Sequence, residues 1–499
     1  MIDRDGRATA WTSPARNLRL VIIGAGPGGL CMGIKLKAAG FSDFVLLERE
    51  SGVGGTWRRN TYPGLQCDLM AILYSFSFAV KADWSRPFAP QSEILEYMEK
   101  VAEDFGLLEH CRFRTTVRRL VWDDDDSRWD VELDDGEIIR ADAVVSAIGM
   151  FNELAFPDIE GLDEFQGTMF HSARWPADHD LSGESVAVIG SAASAVQFVP
   201  VIVRTARQVH LFQRTANWVL PKADDPYTED EIARMRADPA MVKRRRRELF
   251  DDMNRRMLHN DPRILADNEA RGLAAIEIVK DPALREKLRP KHPYGCKRPL
   301  FSNDYYAAFN RPNLELVTDP ISHLTRKGVV TEDGQERHVD TVILATGYQT
   351  TKFLSALDVV GRRGRSIKEA WRDGAQAYLG VTTAGFPNLF MMYGPNTNNG
   401  SILPLLEYQA GHIVRLLKRL VEEELAWIDV RPEAMERYNR ILQEAASRID
   451  VWQVGCNNYY RAEGGRMVTQ LPFTMKDFRR RLEERSPADF EVTPLRTHA

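Results

Sequence analysis

Leu18-Arg-Leu-Val-Ile-Ile-Gly24-Ala-Gly26-Pro-Gly-Gly29 is an apolar run delivered straight into a glycine turn, and Leu30 to Ala39 continues it as a helix stopped at Gly40. The run reads as a parallel strand buried on both faces, and the glycine after the helix as its terminator. Gly-x-Gly-x-x-Gly between a strand and a helix is the dinucleotide-binding arrangement. Gly24 permits the tight turn, Gly26 lets backbone approach a pyrophosphate, and Gly29 lets the helix sit close to the strand. The phosphates would rest on the helix N-terminus, where free N–H groups and the helix dipole favour negative charge.

The second strand, Phe44 to Leu47, ends at Glu48. A carboxylate there accepts from both ribose hydroxyls and repels a 2′-phosphate, so this unit is expected to take FAD or NAD. A related unit starts at Ser185-Val-Ala-Val-Ile-Gly190 and turns through Gly190-Ser191-Ala192-Ala-Ser-Ala195. Here the middle glycine is Ala192, whose methyl would set a nucleotide slightly farther out, and Ala195 takes the third position. Glu48 lies 24 positions after Gly24, and Arg214 lies 24 positions after Gly190. The ribose-facing acid has become a base. Arg214, aided by Thr215, would pair with a 2′-phosphate, which selects NADPH over NADH.

The chain of 499 residues exceeds a single core and should divide into two or three domains. A net charge of −5 with 27% charged and 44% apolar residues is that of an ordinary globular protein and argues against a nucleic-acid surface. The basic run Lys243 to Arg247, followed by Asp251-Asp252, reads as a solvated helix face. Cys31, Cys67, Cys111, Cys296 and Cys456 form no close pair and no metal-ligand spacing. Neither a disulfide nor a metal site is therefore expected, which suits a reducing cytoplasm. Met1-Ile-Asp-Arg-Asp lacks the apolar core of a secretion signal, so none is expected, and no apolar run approaches the ~20 residues that span a bilayer.

Residues 1–16 are polar and read as a flexible arm. Val117 to Trp122 and Trp129 to Leu133 flank the turn Asp123–Asp126, whose four acids are expected to be solvated at a hairpin tip. Asp135-Gly136 is a second turn, and Ala143 to Gly149 returns as a core strand. Residues 222–296 are charged and helix-rich, punctuated by Pro226, Pro239, Pro262 and Pro282, and read as a helical insertion. Its apolar residues (Leu249, Phe250, Met253, Met257, Leu273, Ile276) are read as core. Val342 to Gly347 echoes Val144 to Gly149, and two amphipathic helices follow at 403–425 and 432–449.

Three further stretches carry a family likeness. Phe165-x-Gly167-x-x-x-His171-x-x-x-Trp175-Pro176 resembles the fingerprint of the Baeyer–Villiger monooxygenases, which insert oxygen beside a ketone carbonyl. Gly54-Gly55-Thr56-Trp57 with Tyr62-Pro63-Gly64 and Asp68 resembles that family's second pattern without a departure. Lys297-Arg298-Pro before Tyr305-Tyr306 is similar to the segment holding the family's catalytic arginine.

The resemblance implies an α/β fold of two Rossmann-like domains with parallel sheets, with the helical insertion in the NADPH domain. FAD would occupy residues 17–154 and 350–499. NADPH would occupy 155–221 and 297–349, with 222–296 inserted between. It places Gly55, Thr56, Trp57, Asp68, Tyr74, Val117 and Asn396 at the FAD, and Lys297 beside Arg214 at the 2′-phosphate. Arg298, oriented by Asp68, would be catalytic: it would hold a C4a-peroxyflavin as an anion while the peroxide adds to a ketone, giving an ester or lactone from ketone, NADPH and O₂. Phe165, Gly167, His171, Trp175 and Pro176 would couple domain rotation to the two cofactor steps. The competing enzyme reading is an N- or S-oxygenating flavin monooxygenase, which generally lacks Trp-Pro and the Lys-Arg-Pro arginine. The competing non-enzyme reading is a flavin-binding regulator with a lost NADPH site at Ala192.

Overall fold

The computed structural model describes residues 17–456, 458–484 and 486–495. The arm expected at 1–16 lies outside the described residues.

Two five-stranded parallel sheets organise the chain. In the first, the order is Leu389–Met391, Ala143–Ser146, Leu20–Ile23, Phe44–Leu47, Cys111–Arg112. Leu20 pairs with Phe44 on one side and Ala143 on the other, so the opening strand is central. All four of its residues are buried, as a strand covered on both faces requires. In the second sheet the order is Leu314–Val317, Gln208–Phe212, Ser185–Ile189, Thr341–Leu344, Thr168–His171. Again the strand leading into the glycine turn is central, flanked by the strands that follow it and close the unit.

The strand Thr168–His171 is the edge of the second sheet, in parallel register with Thr341–Leu344. The middle of the Phe165–Pro176 stretch is thus part of the sheet. Val117–Asp123, Arg128–Leu133 and Ile138–Ala141 form the expected antiparallel meander, joined by Asp358–Val360. Asp123 and Asp126 at its tip face Arg140. The segment read as one helix over 403–425 ends at Glu422, and Leu425–Val430 forms a two-stranded ribbon with Phe490–Pro494.

Residues 229–288 are four helices, and three begin with Asp-Pro. Asp238, Asp261 and Asp281 cap them by accepting from Met241 N, Arg263 N and Ala283 N at 3.0, 2.9 and 2.9 Å. Proline follows each cap because the first helical N–H has no intrahelical partner to lose. The insertion does not pack on the second lobe alone. Met235, Val242 and Met257 join the core of the first lobe, whereas Ile276 and Leu288 join that of the second. The basic run is mostly solvated, except that Arg246 turns inward to donate to Ser75 O at 2.9 Å.

One expectation is corrected. Cys296 and Cys456 are joined by a disulfide, with Cα atoms 6.3 Å apart. They are 160 residues apart in sequence, so only the tertiary fold brings them together. Cys31, Cys67 and Cys111 are free.

Candidate active site

Both glycine turns have the geometry their residues dictate. Gly24 has φ +100° and Gly190 φ +106°, and a Cβ on either would press on the carbonyl oxygen of Ala147 or Ala345 at 2.8 or 2.5 Å. A Cβ on Gly29 would overlap the Gly24 carbonyl oxygen, which is why the helix Pro27–Ala38 can sit so close to its strand. No side chain caps this helix, nor Ala193–Ile202 after the second turn, although all four insertion helices are capped. Both N-termini keep the free amides that a pyrophosphate needs.

Glu48 is buried at the end of Phe44–Leu47. Its two oxygens accept from Ala25 N at 2.7 Å and Glu50 N at 2.9 Å, which fixes the carboxylate and leaves lone pairs for ribose hydroxyls. Gly54 N donates to Ala25 O at 3.0 Å, pinning the second loop onto the first turn. Gly55 (φ +55°) abuts Gly26, and a Cβ would come within 2.8 Å of the Gly26 Cα. The two loops therefore meet as bare backbone, a cradle that side chains would fill. Thr56 stands exposed beside it, while buried Trp57 donates to the Tyr74 hydroxyl at 3.0 Å. Val117 is buried in the meander opposite Leu133. Asn396 is buried, and its amide donates to Met467 O at 2.9 Å and Gln470 O at 3.2 Å, so it docks the C-terminal segment onto its loop. The bare-backbone cradle and the fixed Glu48 carboxylate fit FAD, whereas the Asn396 amide is taken by backbone carbonyls.

At the second turn Ser191 and Ala195 are buried and Ala192 is exposed, φ −92°. Arg214 and Thr215 stand exposed just beyond the strand Gln208–Phe212. Lys297, 83 residues later, lies close enough to Arg214 that burial and that like charge both lower its pKa. Neither cation makes an ion pair among the described residues. Two unpaired cations side by side fit a 2′-phosphate.

Arg298 faces Asp68 across the junction of the lobes. Its Nη2 and Nε donate to the same Oδ2 at 2.7 and 3.2 Å. The side chains are 39% and 29% exposed, so the pair is open to a small molecule. The Asp68 charge outweighs burial and raises the guanidinium's pKa further. Sequence reasoning missed Lys222, whose Nζ donates to Gln66 Oε1 at 2.7 Å, two residues from Asp68. It lies 3.6 Å from Asp224 and over the Phe88 ring at 4.8 Å, and burial lowers its pKa. A lysine at the mouth of a charged insertion gives no local signal of this.

The fingerprint residues meet the second loop on one ring. Trp175 lies edge-on to Phe170 and Phe198 at 5.1 and 5.2 Å, and Tyr62 approaches the same Phe198 at 6.0 Å. Tyr62 also donates to Gln197 Oε1 at 3.0 Å, and Gly64 (φ +79°) comes so near that a Cβ would lie 2.7 Å from the Gln197 carbonyl oxygen. Tyr62-Pro-Gly64 is thus an inter-lobe contact. Phe165 packs under the second sheet, and any side chain on Gly167 would overlap the Asp340 carbonyl oxygen. Pro176 is half-buried after Trp175. His171 ends the edge strand; its Nδ1 accepts from Ala173 N at 3.1 Å, and burial lowers its pKa. Its ring borders Tyr348 at 6.3 Å, whose hydroxyl donates to Asn60 Oδ1 at 2.9 Å in the first lobe.

A family model described as pyridine nucleotide-disulphide oxidoreductase matches residues 21–249. A Baeyer-Villiger monooxygenase of Streptomyces coelicolor is 41% identical over 485 residues, 95% of this chain and 93% of that one. Cyclohexanone monooxygenase from Rhodococcus sp. Phi1 bound to NADP⁺ superposes with a TM-score of 0.85 at 31% identity, covering 97% and 100% of the two chains. OTEMO in complex with FAD and NADP superposes at 0.85 and 27% identity, with the same coverage.

Proposed function

The chain belongs to the Baeyer–Villiger monooxygenase family, and on that premise we propose that it binds FAD and NADPH and uses O₂ to convert a ketone to an ester or lactone. One observation carries this above the rest: Arg298, from the second lobe, is held by Asp68, from the first, in a partly exposed ion pair at their junction.

FAD, once reduced by NADPH, supplies with O₂ the oxidant that inserts oxygen. The first unit (Gly24, Gly26, Gly29, Glu48, Gly55) would hold it, with Thr56, Trp57, Asp68, Tyr74, Val117 and Asn396 around it. Gly190, Ser191, Ala195, Arg214, Thr215 and Lys297 would hold NADPH. Arg298 stabilises the negative charge that develops on oxygen during transfer. A guanidinium suits this because it stays protonated at any working pH and presents several donors. Asp68 is its positioning partner: two donors on one oxygen fix the plane of the guanidinium. The Trp175–Phe198–Tyr62 rings and the His171–Tyr348–Asn60 path hold the lobes in register between the two steps. The domain limits follow the same division: 17–154 with 350–499 for FAD, and 155–221 with 297–349 for NADPH.

The test is a ketone panel with purified, FAD-loaded protein, NADPH and O₂, analysed by product mass. A gain of one oxygen as ester or lactone supports the reading. Oxidation confined to amines or thioethers assigns the chain to heteroatom oxygenation instead.

A further inference from the structure

The Cys296–Cys456 bridge stands two residues before Arg298 and belongs to none of the motifs. On the far side of the bond lies the C-terminal segment. There Asn458 Nδ2 donates to Cys296 O at 2.9 Å, a second tie to the same cysteine. The segment is anchored at both ends. Trp452, Tyr460 and Met467 form a small buried cluster with Ala446 and Ile449. Asn396 holds Met467 O and Gln470 O, and Thr469 Oγ1 donates to Tyr459 O at 3.2 Å. Hydrogen bonds and chain therefore lead from the Asn396 loop through 467–470 and 459–460 to Asn458, whose amide meets Cys296 O, while the sulfurs join Cys456 to the same Cys296, two residues before Arg298. Beyond Arg298 the next backbone tether is the two-residue pairing of Leu300–Phe301 with Val219–Leu220.

We propose that the Cys296–Cys456 bond is a positioning element for Arg298, clamping it covalently to the segment that also holds the Asn396 loop, and that a dithiol releases the clamp. This rests on the reading of Arg298 as the cation at the transferring oxygen. Cys296 is fully buried and Cys456 half-exposed, so exchange starts at Cys456. A reductant thiolate bonds to the Cys456 sulfur and displaces the Cys296 thiolate, which takes up a proton. The reductant's second thiol then displaces Cys456, giving two protein thiols and one oxidised dithiol.

The experiment compares full-length, FAD-loaded protein as purified in air, after dithiothreitol treatment, and as Cys456→Ser. Alkylation before and after reduction, read by peptide mass, reports the bond. Hydrogen exchange over 296–301 reports the clamp, and product formed per NADPH consumed reports its consequence. The proposal expects Cys296 and Cys456 to resist alkylation until reduced. It expects faster exchange over 296–301 in both bridge-free forms. A displaced reacting group lowers turnover steeply, so product per NADPH should fall about tenfold while NADPH consumption holds within about twofold. Free alkylation in air, unchanged exchange, or unchanged coupling in both bridge-free forms overturns it. If the oxidised wild type converts no ketone, the functional reading falls, and hydrogen exchange alone decides the clamp.

Discussion

Asp68→Asn isolates the ion pair at the lobe junction. The substitution keeps an oxygen of similar size but removes the charge that both Nε and Nη2 of Arg298 address, at 3.2 and 2.7 Å. A hydrogen bond to a charged group contributes about 1.5–3 kcal/mol. With side chains 39% and 29% exposed, water screens this pair toward the lower end, about 1.5–2 kcal/mol. If that energy holds Arg298 where charge develops, its loss slows oxygen transfer about 10- to 30-fold, at about 1.36 kcal/mol per factor of ten. The assay has two halves. Anaerobic mixing with NADPH follows flavin bleaching, and aerobic turnover with a ketone follows product. Product formation should fall by that factor while bleaching stays near the wild-type rate. An equal fall in both, or in neither, refutes the assignment of Asp68 as the residue that positions Arg298.

Arg214→Ala should raise the KM for NADPH about tenfold, the loss of one charge-assisted contact, and leave that for NADH unchanged, so steady-state kinetics with both nucleotides separate a 2′-phosphate site from a general one. Gly29→Ala should lose FAD on gel filtration and melt earlier, because its Cβ would overlap the Gly24 carbonyl and overpacking costs about 1–3 kcal/mol. His412 is buried, donates from one nitrogen to Leu482 O at 2.9 Å, and has its pKa pushed from 6.5 down to about 4 by burial and by Arg415. The unfolded chain then binds the extra proton first, so its contribution is complete above pH 6.5 and drains away as pH falls toward 4, by on the order of 3 kcal/mol. His412→Asn can keep the bond to Leu482 O but cannot titrate, so its melting temperature should fall less than the wild type's between pH 7 and 4.5.

The parts of this protein that can be read from sequence are those decided within one strand, turn and helix. Gly24, Gly29 and Gly190 are needed by backbone a few residues away, and the Asp-Pro caps of the insertion act on their own first turns. Glu48 and Arg214 were legible because each sits one strand past its own turn. What could not be read lies between distant segments. Trp175 and Tyr62 meet on Phe198, a residue of neither motif, and Tyr62-Pro-Gly64 proves to touch the helix after the second turn rather than only line a loop. Lys222 reaches Gln66 and Asp224 only because the mouth of the insertion folds back. The disulfide closes over 160 residues, and cysteine spacing carries no trace of it. The insertion's double allegiance was hidden for a related reason: amphipathic helices announce an apolar face but not which core receives it.

The central claim is that the Arg298 guanidinium acts in oxygen transfer and not in flavin reduction. The most direct measurement is Arg298→Ala, loaded with FAD, followed through one cycle with NADPH, air and an accepted ketone. The flavin should bleach and oxygen be consumed, with no ester or lactone formed. A normal yield of ester from this variant would contradict it.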